Sequence, residues 1–312
     1  MELRHALRIP ARAGRVSRAM KFLITGARGF LGSRFATLLR ERGHAVEALS
    51  RPGSAERARL DEYEVETLDA GSPDVRRLVA GCDAVLHLAG VPDPARAAAD
   101  PARAVRENAG ATLNLLEACL EHGAGLVYPS TVRAARVPPP DAYALSKRLG
   151  ELACELHRAP AVVLRLTSVF GPGQVAWEGA TGAIAAFAAR ALEGTPIVIS
   201  GDAERTRDFV YVDDVVAAVE TIVAERRFDA TFVLSSGVTT SLREAAELVR
   251  AAASSSSPIE TPGGALPPGE NESYTAERDP SLPFPVRPLA EAVQTYVDWL
   301  RRHPAAQSRA RA

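Results

Sequence analysis

Tyr143 and Lys147 stand four positions apart in Tyr143-Ala144-Leu145-Ser146-Lys147, opening a run in which Leu149, Leu152 and Leu156 recur at helical spacing. Residues at i and i+4 share a helix face. The ammonium can therefore lie near the phenol, favour its phenolate and hold a nicotinamide ribose. A pair of this kind moves a proton to or from a carbonyl or hydroxyl oxygen while a hydride moves to or from a nicotinamide. Thr131, twelve positions before Tyr143, can donate a hydrogen bond to the same oxygen. A tyrosine four residues before a lysine also occurs on ordinary surface helices, so this chemistry requires a dinucleotide site elsewhere in the chain.

Such a site is legible in Thr25-Gly26-Ala27-Arg28-Gly29-Phe30-Leu31-Gly32, which joins the apolar run Phe22-Leu23-Ile24 to an amphipathic helical pattern. Gly26 permits the tight turn, Gly29 lets backbone approach a pyrophosphate, and Gly32 lets the helix pack closely. The first N–H groups of the helix, at Phe30, Leu31 and Gly32, face the anion. Beyond the second strand, where an acid usually accepts the adenosine ribose hydroxyls, the chain has Ser50-Arg51, and Arg28 lies within the turn. Two basic groups and no acid favour the 2′-phosphate of NADP; NAD is the alternative, with Asp69 serving the adenine side.

The elements that must position these residues alternate. Phe22–Ile24, Ala45–Leu49, Val65–Leu68, Ala84–Leu88 and Gly125–Tyr128 read as strands. Helical patterns lie between them, notably over 73–80 and 102–122. This order predicts an α/β, Rossmann-type doubly wound parallel sheet with helices on both faces. His87, at a strand end, reads as scaffold near the cofactor. Phe232–Ser235 reads as a late strand, Ser241 caps a helix through Val249, Ser254 to Pro268 reads as a polar loop, and Leu289–Leu300 forms a last amphipathic helix.

Composition bounds the partners. A net charge of -1, with 46% hydrophobic and 24% charged residues, gives no electrostatic reason to expect nucleic acid or an anionic membrane surface. The longest apolar runs fall short of the ~20 residues that cross a bilayer. Cys82, Cys119 and Cys154 are far apart, odd in number and without histidines at ligand spacing, which predicts neither disulfides nor a metal site and suits the cytoplasm. Arg4, Arg8, Arg12, Arg15 and Arg18 make residues 1–19 basic; we expect a disordered extension there, a transit peptide being the alternative.

Taken together, several stretches resemble the extended short-chain dehydrogenase/reductases, the family of NAD-dependent epimerases, dehydratases and reductases of nucleotide sugars. They are Thr25 to Gly32, His87-Leu88-Ala89, Asn108 with Asn114 to Ala118, Ser130-Thr131, Tyr143 to Lys147, Arg165 to Gly173 and Arg207 to Asp214. The resemblance implies a Rossmann domain over residues 20–167, completed by a late strand at about 229–236. It implies a smaller C-terminal substrate-binding lobe mostly over 168–303, with 304–312 as a tail. It also implies cofactor contacts from Leu88, Ala89, Gly90 and Asn108, substrate contacts from Thr131, Ser168 and Arg207, and a homodimer built on the helices at 102–122 and 143–157.

Three departures bear on the reaction. The Asp-Glu pair with which the 4,6-dehydratases eliminate is replaced by Val132-Arg133, so dehydration is disfavoured. The segment from Thr131 to Tyr143 is short and carries Pro138-Pro139-Pro140. Ser168 stands where the family has asparagine, and Pro267 stands where a second lobe arginine is expected. One diphosphate arginine, Arg207, remains, unless it is the structural partner of a carboxylate such as Asp213. The expected activity is that of a nucleotide-sugar 4-ketoreductase or epimerase; a reductase of a smaller carbonyl compound and a non-catalytic cofactor-binding regulator are the alternatives.

Overall fold

Phe22 and Ile24 pack into one apolar layer and Leu23 into another, and the same alternation holds for Ala84 and Leu86 against Val85. Strands buried on both faces in this way belong inside a sheet covered on two sides. The computed structural model describes residues 18–53, 64–178, 182–266, 270 and 272–309. Most of the basic N-terminal segment and Pro267 therefore lie outside the described residues.

The strands are β1 Lys21–Thr25, β2 Ala45–Ser50, β3 Val65–Thr67, β4 Ala84–His87, β5 Gly125–Thr131, β6 Ala161–Leu166, β7 Ser168–Phe170, β8 Ile197–Ser200, β9 Thr206–Tyr211, β10 Ala230–Leu234, β11 Thr239–Ser241 and β12 Ile259–Gly263. The helices are α1 Phe30–Glu41, α2 Arg76–Val79, α3 Pro94–Ala99, α4 Pro101–Val105, α5 Ala111–His122, α6 Ala142–Leu156, α7 Ala183–Glu193, α8 Val212–Ala224, α9 Leu242–Ala252, α10 Leu289–Arg302 and α11 Pro304–Arg309.

Seven strands form one parallel sheet in the order β10-β6-β5-β4-β1-β2-β3. The order reverses between β1 and β4, where a doubly wound sheet opens a crevice at its carboxyl edge. One face carries α1 and α8 through Phe35, Leu39, Val216, Val219 and Ile222; the other carries α2 and α5 through Val79, Leu115 and Leu116. A further core joins α7, α9 and α10 to β8 and β9 around Phe187, Tyr296 and Leu300, forming a lobe with its own small sheets. Among the described residues no helix is long and apolar enough to cross a membrane.

The structure departs from the sequence reading in several places. The segment read as a polar loop contains β12, parallel to β8 with an irregular register. Its Pro262 and Gly263 mask the strand signal, and the partner β8 lies some sixty positions earlier, so only tertiary pairing reveals it. The helix expected over 102–122 is α4, a π-helical turn Arg106–Gly110 and α5. The helix read over 73–80 is a 3₁₀ turn, Pro73–Val75, followed by the short α2.

Candidate active site

The glycine turn follows β1 directly and leads into α1, beside the loop that follows β4. Gly26 has φ +68°, and a Cβ there would stand 2.7 Å from the backbone nitrogen of Ala89 and 2.8 Å from the carbonyl oxygen of Leu88. On Gly32 a Cβ would stand 2.3 Å from the carbonyl oxygen of Gly26. Only glycine allows the helix to begin this close to the strand ends. Gly29 is the N-cap of α1 and supplies no side-chain cap, so the N–H groups of Phe30, Leu31 and Gly32 are directed towards the crevice without a capping side chain. This cradle fits a pyrophosphate, and with it a nicotinamide dinucleotide.

Thr25 braces the same edge: its Oγ1 lies 2.9 Å from Nδ1 of His87 and accepts the Ala89 N–H at 3.1 Å. Burial, with Lys147 nearby, pushes His87 down to about 3, so the imidazole is neutral and packs as scaffold. Asn108, read as a cofactor contact, spends its amide on protein. Its Oδ1 accepts the Val91 N–H at 2.9 Å, and its Nδ2 donates to the Val91 carbonyl and to Ser146 Oγ. It sits in the π-helical turn and ties the loop after Gly90 to α6.

On the adenosine side, Ser50 Oγ accepts the Arg28 N–H at 3.2 Å. Arg51, read as a 2′-phosphate ligand, has its guanidinium 2.5 Å from Glu107, a carboxylate also held by Arg103. Sequence reading missed Glu107, 56 positions away. Asp69 is exposed and accepts the Gly71 N–H at 2.7 Å, closing its own turn.

The catalytic candidates converge at the end of β5. Thr131 ends that strand, buried, with its Oγ1 accepting the Arg133 N–H at 3.3 Å. Tyr143 is the second residue of α6, whose N-cap, Asp141, accepts the Ala144 N–H at 2.8 Å. The tyrosine ring packs on Val91, Ala97 and Ala104. One turn on, Lys147 Nζ donates to the carbonyl of Pro129 at 2.8 Å and lies 4.9 Å from the Tyr128 ring.

Burial pushes the Tyr143 phenol up to about 12, and the leading charge that opposes this is Arg133, which is ion-paired with Asp141. Burial also pushes Lys147 down to about 8. The free protein thus holds a protonated phenol.

Behind these groups lies a carboxylate that sequence reading passed over. Glu151, fully buried one turn beyond Lys147, accepts from Ser130 Oγ at 2.6 Å, from Arg165 at 3.0 and 2.7 Å, and from Arg148 at 2.7 Å. Ser130 and Arg165 are register partners on β5 and β6, so one carboxylate fixes α6 to both strands. Burial alone would raise its pKa, but these bonds outweigh it and hold the carboxyl below its ordinary range.

On the lobe side, Arg207 leaves β9 and donates to the carbonyls of Thr206 at 2.8 Å, Glu272 at 2.6 Å and Glu270 at 2.9 Å. Asp213 is not its partner: that carboxylate takes a bidentate pair from Arg34 at 2.7 and 2.8 Å. Ser168 opens β7 opposite Phe209 and is partly exposed.

Comparison with known proteins agrees with this construction. Residues 22–235 match the model of the NAD dependent epimerase/dehydratase family. The UDP-glucose 4-epimerase of Mycolicibacterium smegmatis is 31% identical over 257 residues, covering 72% of this chain and 80% of that one. The dTDP-4-dehydro-6-deoxy-D-allose reductase of Streptomyces bikiniensis is 30% identical over 228 residues, covering 63% and 70%. Among solved structures, MoeE5 in complex with UDP-glucose and NAD superposes with a TM-score of 0.78 at 26% identity, covering 90% of this chain and 99% of that one. The chain belongs to the NAD dependent epimerase/dehydratase family and is an enzyme of the short-chain dehydrogenase/reductase type.

Proposed function

We propose that the protein is an NAD-dependent epimerase of a nucleotide sugar, oxidising a ring hydroxyl to a ketone and reducing it again on the other face. The observation that carries this reading is the convergence of Thr131, Tyr143 and Lys147 at the end of β5, next to the crevice between β1 and β4. Bound NAD would take up hydride from the sugar and return it. Tyr143 would act as the phenolate, the form that Lys147 and the positive nicotinamide ring of bound NAD would favour, accepting the hydroxyl proton as the carbon is oxidised and giving it back on reduction. Thr131 holds the sugar oxygen, and Lys147 holds the ribose from the same face of α6.

NAD replaces the expectation of NADP in this reading. NAD is the dinucleotide in the MoeE5 complex, and Arg51 is paired with Glu107 rather than held ready for a 2′-phosphate. We take 20–167 with β10 as the dinucleotide-binding part and most of 168–303 as the substrate lobe. Leu113 and Leu120 on α5, with Leu145, Leu149 and Leu156 on α6, are exposed at 50, 45, 45, 37 and 84%. Such a run of exposed leucines on adjoining helices supports a homodimer through this face. The three buried free cysteines accord with a cytoplasmic location.

The test is to release and identify the dinucleotide carried by the purified protein, then to follow UDP-glucose and dTDP-glucose by sugar analysis with and without Tyr143→Phe. Retained NAD, C4 inversion without net redox change, and loss of turnover with cofactor binding intact in the variant are expected. Stoichiometric consumption of added NADPH would identify a reductase instead, and full activity of Tyr143→Phe would remove Tyr143 from the mechanism.

A further inference from the structure

The structure gathers three arginines from two elements around one tyrosine ring. The turn after Thr131 delivers Arg133 and Arg136 towards Tyr274, and Arg207 reaches the same ring from β9. The three guanidinium carbons lie 5.0, 5.7 and 5.1 Å from its centroid. Tyr274 is pinned to the lobe, its N–H donating to the Thr206 carbonyl at 3.0 Å while Ser273 Oγ accepts the Thr206 N–H at 3.0 Å. The ring thus forms a floor under cations contributed by both sides of the cleft.

Two acidic residues occupy the forks of these cations. Arg207 binds the main-chain carbonyl of Glu270 while Arg133 lies 3.5 Å from its carboxylate; Arg207 binds the carbonyl of Glu272 while Arg136 pairs with its carboxylate. Arg133 is committed, since it also pairs with Asp141 and its side chain is only 11% exposed. Arg136 is different: its side chain is 48% exposed, and the partner seen is the equally accessible Glu272. Arg205 and Arg133 both crowd Arg207 with positive charge, and burial together with that crowding lowers its pKa. A ligand with several anionic oxygens would relieve this arrangement.

We propose that Arg136 is the second cation of the substrate's anion clamp, sharing the Tyr274 ring with Arg207, so that a diphosphate is gripped between the turn after β5 and the lobe. The clamp has moved from the lobe segment to the shortened Thr131–Tyr143 connection. A planar guanidinium on each element can pair bidentately with phosphoryl oxygens in place of the carboxylate and carbonyls now held. This rests on the nucleotide-sugar reading above.

Titration calorimetry of the NAD-saturated protein with UDP, dTDP and inorganic pyrophosphate tests it. Arg136→Ala should weaken UDP or dTDP by roughly ten- to a hundredfold, and Arg207→Ala should do the same. Arg136→Lys should restore only part of this, because a point charge lacks the fork. Arg301→Ala, at an exposed site on α10, should leave binding unchanged. Pyrophosphate should show the same ranking with weaker affinity, which ties the effect to the phosphates rather than the base. If the wild type binds UDP or dTDP and Arg207→Ala loses it while Arg136→Ala does not, Arg136 is not the second cation. If Arg136→Ala lowers the thermal midpoint or NAD affinity as much as it lowers nucleotide binding, its role is structural and the proposal also falls. If the wild type binds neither nucleotide, the nucleotide-sugar reading fails and the clamp fails with it.

Discussion

Removing the carboxylate of Glu151 by Glu151→Ala is expected to destabilise the protein far more than an ordinary surface change. The side chain is fully buried and receives bonds from Ser130, Arg165 and Arg148. Its loss leaves the Arg165 guanidinium, only 20% exposed, without its bidentate partner. Breaking a buried pair from one side costs about 3–5 kcal/mol. Arg148, at 32% exposure, can turn towards water and Glu155, so its share is discounted and about 4 kcal/mol is the working figure.

With 312 residues and an unfolding entropy of about 2.1 cal/mol/K per residue, that loss lowers Tm by about 6 °C. Urea unfolding gives the free energy directly. Glu151→Leu combined with Arg165→Met should cost less than Glu151→Ala alone, since it removes the stranded charge as well. Because the folded carboxyl has a depressed pKa, its contribution is fully present above the ordinary value of about 4.3 and is lost as pH falls through the lower folded value. Wild-type stability should therefore fall more steeply than that of the double variant below about pH 4.3. A cost for Glu151→Ala below about 1 kcal/mol, or a double variant less stable than the single, would refute this account of how α6 is held to β5 and β6.

Two further outcomes follow from the site and its surroundings. Lys147, pushed down to about 8 by burial, loses its charge as pH rises through that value, so NAD affinity measured by fluorescence titration should weaken above about pH 8. Lys147→Met should bind NAD weakly and without this pH dependence; a wild-type affinity flat to pH 10 would show that the ammonium does not hold the cofactor. Leu145→Glu with Leu149→Glu, both at exposed positions on α6, should convert a dimer into a monomer by light scattering, and a monomeric wild type would overturn the proposed assembly.

The glycine turn, the alternating strands and helices and the Tyr143–Lys147 spacing were legible in the sequence because each is a local pattern: a backbone geometry only glycine tolerates, a period of two or 3.6, or one turn of helix. Their common location was implied by the crevice rule of parallel sheets. Side-chain commitments over long separations were not legible. Nothing local in the sequence announces that Arg51 pairs with Glu107, 56 positions away, or that the Asn108 amide is shared between Val91 and Ser146. β12 escaped notice because its pairing partner, β8, is remote and its own residues signal a turn. Above all, the arginines after Thr131 look in sequence like the loss of a catalytic carboxylate pair. Only the folded chain brings Arg136 and Arg207 to the same Tyr274 ring, because ion pairs and ring contacts are set by where strands and loops end in space rather than by distance along the chain.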